Sequence, residues 1–206
     1  MIAIIDYGAG NLRSVKKALD FLGAPCEITN DAHKIATAAG VILPGVGAFG
    51  GVLKTMRARG LFEVTRQAAQ RAAAGQGGLF LGICLGQQLL FAASEESPDA
   101  EGLDVLPGKV LRFPAARLKV PHMGWNSIAL RRHDGLFAGV PEGAYVYFVH
   151  SYYVVSAQPE DVAARTEYGV PFDAAVCRNQ LVATQFHPEK SGAVGLRMLR
   201  NFVELL

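Results

Sequence analysis

Residues 82–86, Gly82-Ile83-Cys84-Leu85-Gly86, follow the pattern G-x-C-x-G. This is the thiol form of the G-x-S-x-G elbow, a sharp strand-to-helix turn that exposes a nucleophile. Glycine suits both flanks because a strained turn leaves little room where the chain crosses itself, and because Gly tolerates unusual dihedrals. At a helix N-terminus the unpaired backbone N–H groups and the helix dipole favour thiolate over thiol. The same N–H groups suit an oxyanion forming on a substrate. Taken alone, the pattern equally describes a core cysteine packed between small residues.

A nucleophilic thiol needs a base. The chain has five histidines, and His187 stands apart because it lies in "QFHPEKS", just after the strand-like run "LVATQF". Pro188 biases His187 toward an extended conformation. In an extended segment residues two apart face the same way, which puts Glu189 beside the imidazole. A carboxylate there orients the ring and stabilises imidazolium, as the third member of a triad does. Read by itself, "HPEK" is also a common surface turn. A second candidate is the glycine-rich loop "PGVGAFGG", residues 44–51. Its glycines let a backbone amide turn toward an oxyanion. It could equally cradle a phosphate, although it lacks the Lys and Ser/Thr of a P-loop.

All three features fall at the ends of expected strands. "IAIID", "PCEIT", "GVILPG" and "GLFLGI" read as strands. Helical patterns alternate with them: one after Asn11, a possible cap, with Leu12, Val15, Leu19 and Leu22 on one face; one over residues 61–74; and one from about Gly86. Such alternation predicts a parallel sheet covered on both faces, whose strand ends share one rim. The second half reads differently. "KVLRF", "YVYFVHSYYVV", "VAARTEY", "FDAAVCR" and "LVATQF" are strand-like runs between turn signals, and predict antiparallel hairpins beside the sheet. "SGAVGLRMLRNFVELL" closes the chain as an amphipathic helix with Ser191 as a possible cap.

Composition narrows the class. Half of the 206 residues are hydrophobic and 18% are charged, which is enough for one sizeable core, and a single domain over residues 1–206 is expected. The net charge of +2, with no long basic run, gives nucleic acid or a membrane surface no support as partner. No signal peptide or membrane span is expected. Cys26, Cys84 and Cys177 are odd in number and far apart, so neither disulfide framework nor zinc spacing appears, and a reducing cytoplasm is the expected compartment. Cys26 and Cys177 read as core thiols, and His33 and His133 as exposed. His122 and His150 read as packing residues at least as readily as catalytic ones. The single tryptophan, Trp125, reads as buried or as an interface anchor.

"GICLGQQ" and "FHPEKS", in that order, resemble the two signatures of the class I, triad-type glutamine amidotransferases, and "PGVGAFG" resembles their oxyanion loop. "DYGAGNL" at 6–12, "VPHMGWN" at 120–126 and "YFVHSYY" at 147–153 resemble the glutaminase subunits of imidazole glycerol phosphate synthases in particular. One departure is Gln87, where that family often carries Met. The resemblance implies a flavodoxin-like α/β fold and hydrolysis of glutamine to glutamate and ammonia, with no cofactor. The implied partner is a (β/α)8-barrel cyclase of histidine biosynthesis, in a heterodimer. It makes Cys84, His187 and Glu189 the catalytic triad. Leu85 and the Val46–Gly47 segment supply the oxyanion hole. Gln88, one helical turn after Cys84, contacts the substrate with Ser151 and Tyr152 nearby. Asn11, Pro121, Met123 and Trp125 are the expected partner contacts. A glutaminase for another synthase, such as anthranilate synthase, and a stand-alone thiol hydrolase of γ-glutamyl compounds are the rival readings.

Overall fold

The computed structural model describes residues 1–114 and 118–206. In chain order the first half is β1 (Ile2–Ile5), α1 (Leu12–Phe21), β2 (Cys26–Thr29), α2 (Ala32–Thr37), β3 (Gly40–Gly45), α3 (Phe49–Ala58), α4 (Leu61–Ala73), β4 (Leu79–Cys84) and α5 (Leu85–Gln88). The second half is β5 (Ala93–Ser94), β6 (Gly108–Arg112), β7 (His122–Ser127), β8 (Ala129–Leu130), β9 (Tyr145–His150), β10 (Tyr152–Ser156), β11 (Val162–Glu167), β12 (Pro171–Arg178), β13 (Leu181–Thr184) and α6 (Gly192–Glu204).

The main sheet has eight strands in the order β2-β1-β3-β4-β13-β12-β11-β8. The first five are parallel, and β12, β11 and β8 extend the sheet antiparallel. The parallel part therefore follows the flavodoxin-like order, with β13 as its fifth strand. A strand buried on both faces must be apolar throughout, and "IAII" of β1 is. Ile2 and Ile4 pack with Val15 and Leu19 of α1 and with Leu199 and Phe202 of α6. Ala3 and Ile5 face the other way, toward Leu53 and Met56 of α3 and Ala69 of α4. Among the described residues no helix is long and apolar enough to cross a membrane.

Three differences from the sequence reading have physical causes. The glycine-rich loop is shorter than residues 44–51, because α3 starts at Phe49 and includes Gly50 and Gly51. Its N-cap, Ala48, offers no side chain; instead Phe49 N–H donates to Glu96 Oε2 at 2.7 Å and Gly50 N–H to Ser97 Oγ at 3.1 Å. A helix start capped from 47 residues away leaves no local signal. The run "YVYFVHSYYVV" is two strands: β9 pairs with β7 and β10 with β6, so the chain changes sheets at Ser151. Neither expected cap works as one. Asn11 and Ser191 stand at the N-cap positions of α1 and α6, but their side chains bond elsewhere.

The elbow after β4 is held by close approach. A Cβ on Gly86 would lie 2.0 Å from the carbonyl oxygen of Leu43, and one on Gly45 would lie 2.4 Å from the amide nitrogen of Gly86. Gly86→Ala is expected to destabilise the fold by about 3 kcal/mol, since the obstacle is backbone. Gly51→Ala, in open space within α3, is expected to stabilise it by about 0.5–1 kcal/mol. Denaturant unfolding of the two variants beside the wild type checks both; equal effects would mean that the elbow relaxes.

Candidate active site

Cys84 ends β4 at φ 57° and ψ −109°, a left-handed backbone for a residue with a side chain. The unusual dihedral sits on the cysteine itself, and the glycines around it provide space. At Gly82 a Cβ would be 2.8 Å from the carbonyl oxygen of Gly86. Leu85 is the first residue of α5, so its N–H has no partner one turn back. The thiol is almost buried. Gln185 Nε2 approaches Sγ at 3.6 Å, and Sγ lies 3.9 Å from the carbonyl oxygen of Val149.

His187 follows β13, the neighbour of β4, and so reaches the same rim. Its Nδ1 is 2.8 Å from Glu189 Oε1. Pro188–Lys190 forms a 3-10 turn, so the pair meets across a turn and not along an extended segment. The partners are as expected; the geometry that unites them differs. Asn11 Nδ2 donates to the same Glu189 oxygen at 3.0 Å, so its amide is committed to the carboxylate. Ser191 Oγ donates to His187 O at 2.6 Å and accepts from Tyr147 N–H at 3.0 Å, which anchors the turn. Burial works against a charged His187, but the Cys84 sulfur and the Glu189 carboxylate outweigh it and push the imidazole up to about 9. Among the described residues Nε2 has no aligned hydrogen-bond partner. Cys84 and His187 line the same cavity, and the sulfur is close enough to raise the imidazole's pKa although it does not meet strict hydrogen-bond geometry; such contacts often tighten only when substrate arrives.

A cavity of about 350 Å³ opens over this pair. Its wall includes Gly45, Val46, Gly47, Leu85, Gln88, Ser151 and Tyr152, so the expected site residues converge. Gln88 Nε2 donates to Tyr152 O and to Gln185 Oε1, both at 3.0 Å, which uses both of its N–H groups and leaves its carbonyl oxygen. Val46 N–H donates to Tyr7 Oη at 3.3 Å, and Tyr7 Oη donates to Pro44 O at 3.0 Å. Gly47, at φ 104°, holds a backbone that suits glycine alone. Glu96, Pro121, His150 and Lys190 also line the cavity. Glu96 and Gln185 were missed in the sequence. Glu96 has no motif around it, whereas Gln185, two residues before His187, had the same-face signal that was read only toward Glu189.

Gln87 turns away from the cavity. It is fully buried, its Nε2 donates to Asp173 O at 3.0 Å, and its Oε1 has no partner among the described residues. Cys26 and Cys177 are half-buried free thiols. His33 and His133 are exposed. His122 and His150 are buried and hydrogen-bonded to each other at 3.0 Å. Met123 and Trp125 stand on one face of β7 with 62% and 56% of their surface exposed, beside Tyr145 at 62%. Pro121 is half-buried in the cavity wall. No group of three His, Cys, Asp or Glu side chains among the described residues is arranged to hold a metal ion.

The family model "Glutamine amidotransferase class-I" matches residues 3–205. The chain is 53% identical over 205 residues to the imidazole glycerol phosphate synthase subunit HisH of Moorella thermoacetica, covering 100% of this chain and 95% of that one. It is 50% identical over 206 residues to the protein of the same name from Methanosarcina mazei, covering 99% and 98%. A solved glutamine amidotransferase superposes with a TM-score of 0.75 at 22% identity, over 100% of this chain and 98% of the other.

The His187 environment gives a signed pH expectation. Its folded pKa of about 9 lies above the unfolded value of ~6.5, so the stabilisation from this charge is complete below ~6.5 and lost as pH rises through about 9. An NMR titration of the His187 ring is expected to show a midpoint near 9 in the wild type and a lower one in Glu189→Gln. An unchanged midpoint in the variant would show that the carboxylate does not hold the proton on the ring.

Proposed function

The chain belongs to the class-I glutamine amidotransferases and, among them, to the family of the imidazole glycerol phosphate synthase HisH subunits; from that premise we propose how its residues make ammonia from glutamine for a cyclase subunit. The observation that carries the reading is Cys84 on a strained elbow, in one cavity with His187, whose ring is paired with the buried Glu189. Residues 1–206 act as one amidotransferase domain. Three free cysteines fit a reducing cytoplasm.

Glutamine enters with its side-chain amide over Sγ. The Gln88 carbonyl oxygen, freed by the orientation of its amide, accepts from the substrate's α-ammonium, and the Glu96 carboxylate lies in the same wall. Ser151 and Tyr152 close the other side. Cys84 attacks the amide carbon as thiolate. The oxyanion is met by Leu85 N–H and by an amide of the Val46–Gly47 segment; Val46 N–H is held by Tyr7, so the loop amide at Gly47 is the better placed to turn inward. His187, charged below about 9, gives a proton to the departing nitrogen, and ammonia leaves. Water then attacks the thioester, His187 accepts its proton, and glutamate departs with the thiolate restored. Glu189 and Asn11 keep the imidazole aimed throughout.

The cyclase docks where the strand ends meet β7, forming a heterodimer with its (β/α)8 barrel over the cavity. Met123 and Trp125 supply the apolar anchor, and Tyr147 supports Trp125 edge-on at 6.1 Å. Pro121 and Asn11 lie closer to the cavity, where they link the docking surface to the site.

Two experiments test this reading. Cys84→Ser is expected to abolish synthesis from glutamine while synthesis from added ammonium salts survives in the complex; loss of both in a folded complex would refute the division of labour. Trp125→Ala is expected to weaken association with the cyclase by about 2 kcal/mol and to lower partner-stimulated glutaminase activity, while Cys84 still reacts with an electrophilic glutamine analogue. Titration of the variant with the cyclase decides; wild-type affinity and stimulation would remove Trp125 from the interface.

A further inference from the structure

From His150 in the cavity wall inward to His122, two buried histidines join β7 and β9 in a line of hydrogen bonds. Asn126 Nδ2 lies 3.3 Å from His122 Nε2, His122 Nδ1 lies 3.0 Å from His150 Nε2, and His150 Nδ1 lies 2.8 Å from Tyr152 O. Both ends of this line are fixed. Tyr152 O is a carbonyl and can only accept, so His150 carries its proton on Nδ1 and accepts at Nε2. Asn126 Nδ2 also donates to Glu167 O at 3.0 Å, and Asn126 Oδ1 accepts from Ser127 N–H at 2.8 Å, so the amide presents a donor to His122 Nε2. His122 then carries its proton on Nδ1 and donates to His150. The two ends impose the same pair of tautomers independently, and each ring has one donor and one acceptor role, which only neutral imidazole can fill. Burial agrees, pulling His122 down to about 4 and His150 to about 3. The rings have no room to turn. His122 is stacked between Phe148 and Tyr168, with ring centres at 4.8 and 4.1 Å, and His150 is packed on Phe113 and Phe172 at 5.1 and 5.2 Å.

The end of the line matters for glutamine. Tyr152 O accepts from His150 Nδ1 and also from Gln88 Nε2 at 3.0 Å. A carbonyl held in place by one donor presents a fixed acceptor to the other, which decides which way the Gln88 amide faces. We propose that His150 and His122 are positioning residues for substrate binding: their one-way hydrogen-bond line fixes the Tyr152 carbonyl, and through it keeps the Gln88 carbonyl oxygen directed at the glutamine α-ammonium. The inference rests on the glutaminase reading of the cavity. It adds a role for two residues that act through the Tyr152 carbonyl and Gln88.

The test uses the complex with the cyclase and steady-state glutaminase kinetics. His150→Phe keeps an aromatic ring among its aromatic neighbours but removes both hydrogen bonds. It is expected to raise KM for glutamine about tenfold or more, with kcat within about threefold of wild type. His150→Asn places an amide N–H where Nδ1 was, and is expected to bring KM back to within about threefold of wild type. A packing role alone predicts the reverse order, with Phe tolerated and Asn harmful. Nitrogen-15 NMR of the free chain at pH 7 is expected to show both rings protonated on Nδ1 and bare at Nε2. Should His150→Phe not fold, His122→Phe, which removes the donor to His150, is expected to raise KM by about threefold or more. Unchanged KM in the folded Phe variant, failure of His150→Asn to restore it, or an Nε2–H tautomer in either ring would overturn the proposal. A wild-type complex without glutaminase activity would instead overturn the reading of the cavity, and the NMR result would still judge the line by itself.

Discussion

A side chain at a left-handed φ costs about 1–3 kcal/mol, and Cys84 carries that cost where β4 turns into α5. The surroundings leave it no alternative. Leu43 O and the amide of Gly86 lie so close that neither Gly86 nor Gly45 has room for a Cβ, and Gly82 is pressed against Gly86 O. The elbow is therefore locked against the end of β3 chiefly by backbone, with the Leu85 side chain close to Gly45 as well. That lock puts Sγ at the rim and starts α5 with free N–H groups beside it. It also sets Gln88 one turn later, where Tyr152 O and Gln185 can hold it. A looser elbow would keep the residues and lose their alignment.

Around the elbow the site works in nearly dry surroundings. His187 and Glu189 have 2% and 0% of their side-chain surface exposed. Desolvation opposes charge on the imidazole, yet the ring ends with a raised pKa because sulfur, carboxylate and ring are packed together. His150, in the cavity wall, and His122 beside it go the other way. Burial is the largest influence on both; for His150 the His122 and His187 rings add to it and the bond to Tyr152 O opposes it, and both stay neutral. One small region thus holds a charged histidine for proton transfer and two neutral ones for orientation, and the difference is set by what each ring faces.

The inner parallel strands β1, β3 and β4 were legible because they are buried and apolar, and the G-x-C-x-G and His-x-Glu patterns because they are local. The parallel pairing of β13 with β4 was not, since "LVATQF" reads like the antiparallel runs before it. What escaped was held by distant partners. The start of α3 is capped by Glu96 and Ser97, so its glycines read as loop. Asn11 and Ser191 look like caps in sequence, but Glu189, His187 and Tyr147 claim their side chains. The change of sheet at Ser151 has no marker because both flanking runs are good strand formers. Gln87, which no motif explained, is buried with one half of its amide unpaired, a defect that an apolar side chain of similar size would not have.

Asn11 and Glu189 are 178 residues apart, and their hydrogen bond closes the triad from the opposite end of the chain. Cys84 and the strands β1 to β4 are made long before the base that activates the thiol. On the ribosome, then, the elbow can form early but stays without its proton donor until β13 has paired with β4 and the turn at Pro188 has folded onto the loop after β1. A chain that has not yet folded that far carries Cys84 without His187 beside it.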